Sequence, residues 1–374
     1  DVFSLKKIEK LLSCLGNPQL SYKIIHIAGT KGKGSTCAMI SSGLRGAGFK
    51  VGLYTSPHLI RFNERIQING RMISDQELTD CFNKIIPFVD ESDPVSTFEI
   101  TTAIAFLYFY KKNVDYAVIE TGLGGRLDAT NVVKPVLSII TSISIDHTTF
   151  LGNTLSSIAA EKGGIIKAEI PVIVSPQKEE AKSVLRKIAD EKKSEWIDID
   201  EKYGFVPVKE DAFSQELVLY EKKDEERFSK WLDSHSAETW TPEIIKIPFS
   251  GKHQAENATT AYCAIKMISK QEPNINFQKM TAGLADTFWP CRFEKIQESP
   301  LIIADGAHNL DSIQKLISQF KRYYGDSEIT CVFGASADKK CNEMISELAP
   351  NVDRFIVTRS THPRAAMPKD LYEM

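Results

Sequence analysis

An eight-residue segment at positions 29–36, Gly-Thr-Lys-Gly-Lys-Gly-Ser-Thr, contains the residue types that bind a nucleotide phosphate. It directly follows the apolar run 22–28, so a strand is expected to lead into a glycine-rich turn and then a helix. Such a turn points several backbone N–H groups at one anion, and the helix N-terminus adds partial positive charge. Lys33 is placed to reach the β- and γ-phosphates, and the hydroxyl of Ser35 or Thr36 can ligate Mg²⁺.

The spacing of this segment departs from that of the common phosphate loop. The usual form has its lysine directly before the serine or threonine, whereas here Gly34 separates Lys33 from Ser35. A purely structural strand–turn–helix junction is the alternative, but it does not need so many glycines, lysines and hydroxyl groups. We therefore predict that the segment binds nucleotide phosphates through all of its residues: Gly29, Thr30, Lys31, Gly32, Lys33, Gly34, Ser35 and Thr36.

Polar groups also follow other apolar runs of the chain. Ser56, Glu120 and the pair Asp146-His147 each stand where a predicted strand ends. Because ligands of open parallel sheets collect beyond the carboxyl ends of strands, we expect these groups on one rim with the phosphate loop. Mg²⁺ prefers a few hard oxygen ligands, and the softer His147 suits a second metal ion. The predicted metal ligands are Ser35, Ser56, Glu120 and His147.

Each of these three groups has a structural alternative when it is taken singly. Glu120 can cap a helix or lie on the surface, His147 can be a hydrogen-bonded structural residue, and Ser56 before Pro57 can start a turn. Their expected position beside a phosphate loop favours metal binding over these alternatives.

Glycine-containing segments elsewhere carry further charged groups. In residues 122–131 the glycines allow close backbone approach to a ligand and Arg126 can pair with an anion, although a flexible surface loop is the alternative. The segment 305–309 brings a carboxylate, an imidazole and a possible helix N-cap to one strand end. From the residues alone, catalysis and helix capping are equally open for that segment.

Alternating helical and apolar strand patterns position these groups and predict an α/β fold with a doubly wound, mostly parallel sheet. Residues 1–289 are expected to form the ATP-binding P-loop domain, with a charged peripheral excursion over about 178–250. Within it, a buried strand is predicted over 135–145. Residues 290–374 are expected to form a second, smaller Rossmann-like α/β domain that is incomplete.

The composition narrows the class of protein. The 374 residues are 42% hydrophobic and 25% charged, which is typical of a globular protein. A net charge of −3 without a basic block gives nucleic-acid binding no electrostatic support, and no apolar run approaches the length of a membrane span. The seven cysteines are widely spaced and form no C-x-x-C pair, so we expect no disulfide framework or structural zinc and a cytoplasmic location.

Several longer segments together resemble the folylpolyglutamate synthase/dihydrofolate synthase family of the Mur ligase superfamily. The resemblance runs from about residue 24 to about residue 364, and its folate-specific part is TSPHL followed by RFNERI. The matching segments are HIAGTKGKGST (26–36), GLYTSPHLIRFNERIQING (52–70), FEITTA (98–103), ETGLGGRLDATN (120–131), DHTTFLG (146–152), AEKGGIIK (160–167), GKHQAENATTA (251–261), WPCRFE (289–294) and IADGAHN (303–309).

The resemblance implies a role for each matching residue. Lys162 corresponds to a lysine that reacts with CO₂ to form a carbamate, which as an anion can sit beside Mg²⁺. With Lys33, the implied catalytic residues are Lys162, Asp305 and His308. The implied ATP contacts outside the phosphate loop are Asn257, Arg292 and Asp305, and the implied substrate contacts are Phe98, Glu99, Thr101, Arg126, Leu127, Asp128 and Ala129.

The resemblance also implies a reaction and its partners. A pterin-linked carboxylate, of dihydropteroate or a folate, would attack the γ-phosphate of ATP to give an acyl phosphate, and the amino group of L-glutamate would then displace phosphate. ATP, one or two Mg²⁺ ions and a carbamylated lysine are the expected cofactors. A monomer acting on small molecules is expected. Both folate activities are favoured, and folylpolyglutamate synthesis alone is the alternative.

The sequence departs from the family pattern at two places and lacks features that other protein classes would show. Lys31 stands where many bacterial relatives carry asparagine, and relatives usually continue beyond Met374. A Mur-type ligase of cell-wall precursors would need a further domain before Gly29, and a GTPase would show an N-K-x-D motif that this sequence lacks. A nucleotide-binding regulatory module would be favoured by loss of Lys33, Glu120, His147 or Lys162, and all four are present.

Overall fold

The computed structural model of the protein describes residues 4–90, 92–234, 240–272 and 275–374. Its strands are β1 (Lys23–Ala28), β2 (Val51–Tyr54), β3 (Ile66–Ile68), β4 (Arg71–Met72), β5 (Tyr116–Glu120), β6 (Leu137–Ile140), β7 (Val172–Val174), β8 (Trp196–Asp198), β9 (Tyr203–Glu210), β10 (Gln215–Glu221), β11 (Glu243–Ile247), β12 (Glu294–Gln297), β13 (Ile302–Ala304), β14 (Thr330–Phe333) and β15 (Arg354–Val357).

Helices alternate with these strands along the chain. They are α1 (Lys6–Cys14), α2 (Lys33–Gly46), α3 (Asp75–Ile85), α4 (Thr97–Lys111), α5 (Thr148–Leu151), α6 (Leu155–Gly163), α7 (Glu179–Glu191), α8 (Ile199–Lys202), α9 (Glu225–Ser234), α10 (Lys252–Gln271), α11 (Phe277–Gly283), α12 (Leu310–Tyr324), α13 (Cys341–Leu348) and α14 (Pro368–Glu373). Serine caps at Ser74 and Ser96 begin α3 and α4, because each side chain accepts the N–H of the glutamate three residues on.

The chain forms two compact units. The first contains the described residues up to 209 together with 216–248 and 252–289, and the second contains 210–215, 249–251 and 290–374. The backbone therefore passes between the units several times rather than once.

An eight-stranded sheet organises the first unit. Its strand order is β4-β3-β2-β5-β1-β6-β7-β8, and the strands from β2 to β8 in this order are parallel, while β3 and β4 are antiparallel. The central strand β1 is buried apart from its first residue, as expected for a parallel sheet covered on both faces. This confirms the predicted doubly wound α/β fold.

The register brings three strand ends to one edge of the sheet. Ile27 on β1 pairs with Glu120 at the end of β5, and Ala28 pairs with Ile140 at the end of β6. The segments that follow these strands, including the phosphate loop, therefore start side by side.

The strand predicted over 135–145 is shorter than expected. It ends at Ile140 as β6, and residues 141–144 leave the sheet. Thr141 still donates its N–H to the Ala28 carbonyl of β1 at 2.8 Å, and beyond it the carbonyls of Ser142 and Ser144 accept hydrogen bonds from the phosphate loop, as detailed below.

The charged region predicted as an excursion over about 178–250 begins inside the main sheet. Strand β8 pairs in parallel with β7, so α7 and β8 continue the doubly wound pattern. Strands β9, β10 and β11 form a separate three-stranded sheet, and residues 235–239 lie outside the described part of the chain.

The second unit consists of helices with two small sheets. β12 and β13 pair antiparallel, and β14 and β15 pair in parallel. The main cluster of buried apolar residues in this unit includes Ile313, Ile317, Phe333, Met344, Ile345, Leu348 and Leu371. The hairpin tip at 210–215 joins this unit through Phe213, whose ring centroid lies 6.0 Å from that of Phe293.

Polar contacts hold the same tip. Glu210 pairs with Arg322 at 2.7 Å and accepts the Ser250 hydroxyl at 3.0 Å. All seven cysteines are free thiols. Among the described helices, none has both the length and the apolar character needed to cross a bilayer.

Candidate nucleotide and acceptor site

The phosphate loop lies between β1 and α2 and depends on its glycines. Gly32, the N-cap of α2, has φ 84°, and a Cβ there would lie 2.2 Å from Oδ1 of Asn257. Gly29 has φ 153°, and a Cβ there would lie 1.8 Å from Oγ1 of Thr141. Larger residues would therefore distort the loop, whose glycine backbone leads into the N–H groups of the first turn of α2.

Gly34 explains the departure from the common phosphate-loop spacing. A Cβ at this position would lie 2.5 Å from Cζ2 of Trp289, whose indole packs on the first turn of α2. The residue between Lys33 and Ser35 is therefore a glycine because an aromatic ring occupies the space beside it.

Residues 141–144, which follow β6, hold the phosphate loop through hydrogen bonds. The N–H groups of Thr30 and Lys31 donate to the carbonyl of Ser142 at 2.9 and 3.0 Å. The Thr30 hydroxyl donates to the carbonyl of Ser144 at 3.1 Å. These bonds fix the first half of the loop and account for the early end of β6.

Buried polar groups gather beside the loop as predicted for the strand ends. Nζ of Lys33 lies 3.9 Å from Oε1 of Glu120, and the Ser56 N–H donates to Oε2 of the same carboxylate at 3.0 Å. Ser35 is buried, and the fully buried Thr36 hydroxyl has no hydrogen-bond partner among the described residues. A carboxylate and hydroxyls next to a phosphate loop are the hard oxygen donors that Mg²⁺ selects.

His147 is the remaining predicted metal ligand. It is exposed, has φ 51° as the N-cap of α5, and its N–H donates to the Asp146 carboxylate at 2.9 Å. Among the described residues, no group of three or more histidine, cysteine or acidic side chains is arranged to hold a metal. A metal at this rim would therefore take much of its coordination from phosphate and water.

Lys162 extends from α6 to the start of the phosphate loop. The side chain is buried, with 4% exposure, and its Nζ donates to the carbonyl of Gly29 at 2.8 Å. Burial, assisted by the positive charge of Lys33, lowers the pKa of Lys162 to about 7, although the carboxylates of Asp146, Asp128 and Glu120 oppose the shift. The amine is therefore partly neutral near pH 7, the form that can act as a nucleophile.

The predicted substrate contacts divide into two groups. Phe98 is half-buried, a Cβ at Gly122 would lie 2.5 Å from its ring, and Leu127 is also half-buried. These two apolar side chains remain available to a flat heterocycle.

Most of the other predicted substrate contacts serve local structure here. Glu99 accepts the Ser96 N–H at 2.7 Å, and the buried Thr101 donates to the Thr97 carbonyl at 2.6 Å. Ala129 is buried, both Asp128 oxygens accept N–H groups of their own loop, and Arg126 pairs with Glu161 at 2.9 Å.

The second unit holds the other predicted catalytic residues close together. The Asp305 carboxylate accepts the N–H groups of Phe293 and Ala307, both at 2.8 Å, and Nδ1 of His308 lies 2.8 Å from the Gly306 carbonyl. Nη1 of Arg292 would lie 2.8 Å from a Cβ at Gly306. Asn309, not Asp305, caps α12.

Family models match almost the whole chain. The Mur ligase middle domain matches residues 27–265, and the Mur ligase glutamate ligase domain matches residues 291–374. A dihydrofolate synthase/folylpolyglutamate synthase of Bacillus subtilis is 38% identical over 376 residues, which cover 99% of this chain and 84% of that protein. The chain belongs to the dihydrofolate synthase/folylpolyglutamate synthase family of Mur ligases.

Further relatives of this Mur ligase agree with that assignment. A folylpolyglutamate synthase of Lacticaseibacillus casei is 36% identical, over 98% of this chain and 84% of that protein. A solved FPGS–AMPPCP–folate complex matches with a TM-score of 0.83 and 34% identity, over 94% of this chain and 83% of that one.

Sequence reasoning missed some residues that shape the site of this Mur ligase. Trp289 packs on Gly34, and the buried His26 lies 2.8 Å from the Thr130 hydroxyl. A lone histidine inside the apolar run 22–28 was the available signal, because a buried imidazole needs a hydrogen-bond partner. For Trp289 the available signal was its place at the start of the family-matching segment WPCRFE (289–294), which does not by itself show a contact with Gly34.

Proposed function

We propose that this chain is an ATP-dependent ligase that adds L-glutamate to a pterin-linked carboxylate. The observation that carries the proposal is the geometry of the phosphate loop. The Asn257 side chain packs directly against Gly32, and Lys33 lies next to the Glu120 carboxylate at the carboxyl ends of the strands. Membership of the folate branch of the Mur ligases supports the choice of acceptor.

The proposed reaction has two steps. A carboxylate is a poor acyl donor, so its oxygen first attacks the γ-phosphorus of ATP, the bond to the β–γ bridging oxygen breaks, and ADP leaves. The neutral amine of glutamate then attacks the acyl phosphate, and phosphate leaves with one proton released. In this scheme Lys33 and the N–H groups of α2 hold the phosphates while charge shifts between their oxygens.

The proposed Mg²⁺ ligands lie at or after the carboxyl ends of strands and in the first turn of α2. They are Ser35, Thr36, Ser56, Glu120 and His147. The unpartnered hydroxyl of Thr36 fits a role in which a ligand completes its hydrogen bonds or coordination. When bound, Mg²⁺ would neutralise charge on the phosphates of ATP.

Lys162 is proposed to carry a carbamate. The ammonium group first loses one proton, and the neutral amine would then attack CO₂, forming the N–C bond and releasing a second proton, so that the buried side chain becomes an anion. The lowered pKa of Lys162, about 7, supplies the neutral amine that this step requires. The nearby Lys33 then offers the new anion a positive partner.

Roles in the second unit follow from the family. Arg292 and Asp305 are proposed to contact ATP, and His308 is proposed to act near the reaction centre. Asn257 is proposed as an ATP contact of the first unit, and Phe98 and Leu127 as pterin contacts. We also propose that the enzyme is a cytoplasmic monomer, which suits its seven free thiols and small substrates.

The acceptor is tested by glutamate-dependent ADP release with Mg-ATP, in parallel with 7,8-dihydropteroate and with tetrahydrofolate. Turnover of both would establish the two activities that we favour. Turnover of tetrahydrofolate alone would make the enzyme a folylpolyglutamate synthase only. Activity with neither acceptor, from folded protein that binds ATP, would refute the proposed ligase function.

A further inference from the structure

His26 is a fully buried polar residue that has no part in the reaction proposed above. It lies in the middle of β1, and its Nε2 is 2.8 Å from Oγ1 of Thr130, a residue 104 positions along the chain. Its Nδ1 is buried without a hydrogen-bond partner among the described residues. A buried acceptor without a hydrogen-bond partner destabilises the folded protein, so an apolar residue at this position would be more stable. The histidine is therefore expected to serve a purpose through its Nε2 hydrogen bond.

The hydrogen bonds beyond Thr130 fix the direction of this contact. The Thr130 hydroxyl donates its one proton to Oδ1 of Asp128 at 2.6 Å. Its oxygen must therefore accept from His26, so the imidazole carries its proton on Nε2. Burial lowers the pKa of His26 to about 3, which keeps the ring neutral with Nδ1 as the bare nitrogen. The result is a hydrogen-bond chain in which His26 donates to Thr130 and Thr130 donates to Asp128.

The chain ends in the loop 122–131. Asp128 also accepts the Thr130 N–H at 3.0 Å and the Leu123 N–H at 2.8 Å, so one carboxylate ties the start of the loop to its end. Leu127, the half-buried side chain available to an acceptor, lies between these tie points. The loop is thereby attached to β1, three residues before the phosphate loop begins at Gly29.

We propose that His26 is a positioning residue for the acceptor, which holds Thr130 and Asp128 so that the loop 122–131 keeps Leu127 at a fixed place. This inference rests on the proposed function, because it assumes that the loop contacts the acceptor. Asp128 then acts by shaping the loop and not by touching substrate.

Two pairs of variants test the chain. His26→Leu and Thr130→Val each remove one link, whereas His26→Gln keeps a donor near the Nε2 position and Thr130→Ser keeps the hydroxyl. We expect the first pair to raise KM for tetrahydrofolate or dihydropteroate about tenfold and to leave KM for ATP unchanged. The second pair should stay near wild type. The double variant His26→Leu/Thr130→Val should be no worse than either single variant, since both break the same chain.

Ser138→Ala is the matched control. Ser138 is the neighbour of His26 on β6, is equally buried, and donates to the Ile165 carbonyl at 2.9 Å, away from the loop 122–131. Its loss should lower the melting temperature without changing either KM. If His26→Leu and Thr130→Val only lower stability as Ser138→Ala does, or raise both KM values equally, the proposal is wrong.

Hydrogen exchange separates a failure of this inference from a failure of the proposed function. In Thr130→Val, and in His26→Leu if it folds, the Leu123 and Thr130 amides should exchange faster than in wild type and in Ser138→Ala. If the wild-type enzyme shows no turnover, this measurement still decides whether the chain holds the loop. Unchanged exchange at both amides would overturn the inference.

Discussion

The two units present their functional groups in opposite ways. In the first unit the groups beside the phosphate loop are withdrawn from water: Ser35, Thr36, Glu120 and Lys162 are all buried. In the second unit Arg292, Asp305 and His308 are exposed on turns beside short two-stranded sheets. The groups proposed to bind phosphate are therefore held by packing, whereas those of the second unit keep more freedom.

This difference matches what each region must bind. A polyphosphate carries concentrated charge, and donors fixed in a poorly hydrated site stabilise it without reorganisation during the reaction. Exposed side chains pay more conformational entropy when they are ordered around a ligand. Substitutions in the first unit should therefore have larger and more specific effects than matched substitutions in the second.

The largest effect is expected at Lys162. Replacement by methionine keeps the buried stem but removes the amine, and glutamate-dependent ADP release should fall by about 10³-fold. Lys266→Met is the control, because Lys266 is a partly buried lysine of the same unit that pairs with Glu221 at 3.1 Å. A loss at Lys162 no greater than at Lys266 would contradict the assigned role. In ¹³CO₂-treated wild type, a carbamate carbon signal should appear that Lys162→Met lacks.

A glycine from each unit gives the sharpest comparison. Gly32→Ala forces φ 84° on alanine and places its Cβ 2.2 Å from Asn257, so affinity for a non-hydrolysable ATP analogue should fall by about 100-fold. At Gly306 the first atom met is Nη1 of Arg292 at 2.8 Å, the end of a flexible side chain. Gly306→Ala should change that affinity by less than about threefold. If isothermal titration calorimetry shows that both variants lose the same affinity for the ATP analogue, the two units do not differ in how strictly they position their binding groups.

The stability of the protein should depend on pH through Lys162. Its pKa falls from 10.5 to about 7 on folding, so between these values the unfolded chain binds a proton that the folded chain does not. This group therefore makes folding more favourable as pH rises from about 7 to about 10.5, by at most about 1.4 kcal/mol per pH unit. Denaturant titrations in CO₂-free buffer should show the rise in wild type and a flatter profile in Lys162→Met. Parallel profiles would show that Lys162 keeps its proton in the folded protein.

The smallest effect is expected from two buried threonines. Thr36→Val removes a hydroxyl without a partner and should raise the melting temperature of the ligand-free protein by about 2 °C, while weakening Mg-nucleotide binding. Thr102→Val is the control, because the Thr102 hydroxyl donates to the Phe98 carbonyl at 2.8 Å, and its loss should destabilise the protein. If both variants are more stable than wild type, or neither is, then the presence of a hydrogen-bond partner does not decide whether loss of a buried hydroxyl raises or lowers the melting temperature.

Local patterns were sufficient to predict the sheet and the strand–turn–helix geometry around residues 29–36. The glycines and lysines of 29–36 are contiguous, and the strand-end rule placed Ser56 and Glu120 together without any distance information. The strand over 135–145 was overpredicted because a mostly apolar run rich in β-branched residues fits a buried strand. Only the folded chain shows that Ser142 and Ser144 bond to the loop instead.

Long-range contacts set the limit of sequence reasoning. The resemblance implies that Asp128 contacts substrate, and only the folded chain shows that both of its oxygens accept N–H groups of its own loop. The partner of His26 is distant in sequence, and Trp289 reaches Gly34 from the other end of the first unit. No spacing rule connects such positions, since they depend on how the sheet brings distant segments together.

The hairpin tip at 210–215 has a practical consequence for recombining this enzyme with its relatives. A gene fragment starting at Pro290 would separate Phe293 from the ring of Phe213, and Arg322 from the carboxylate of Glu210. The crossover point that the linear map suggests therefore breaks an aromatic contact and an ion pair within the second unit. Chimeras should transfer 210–215 and 249–251 together with 290–374 as a single inherited block.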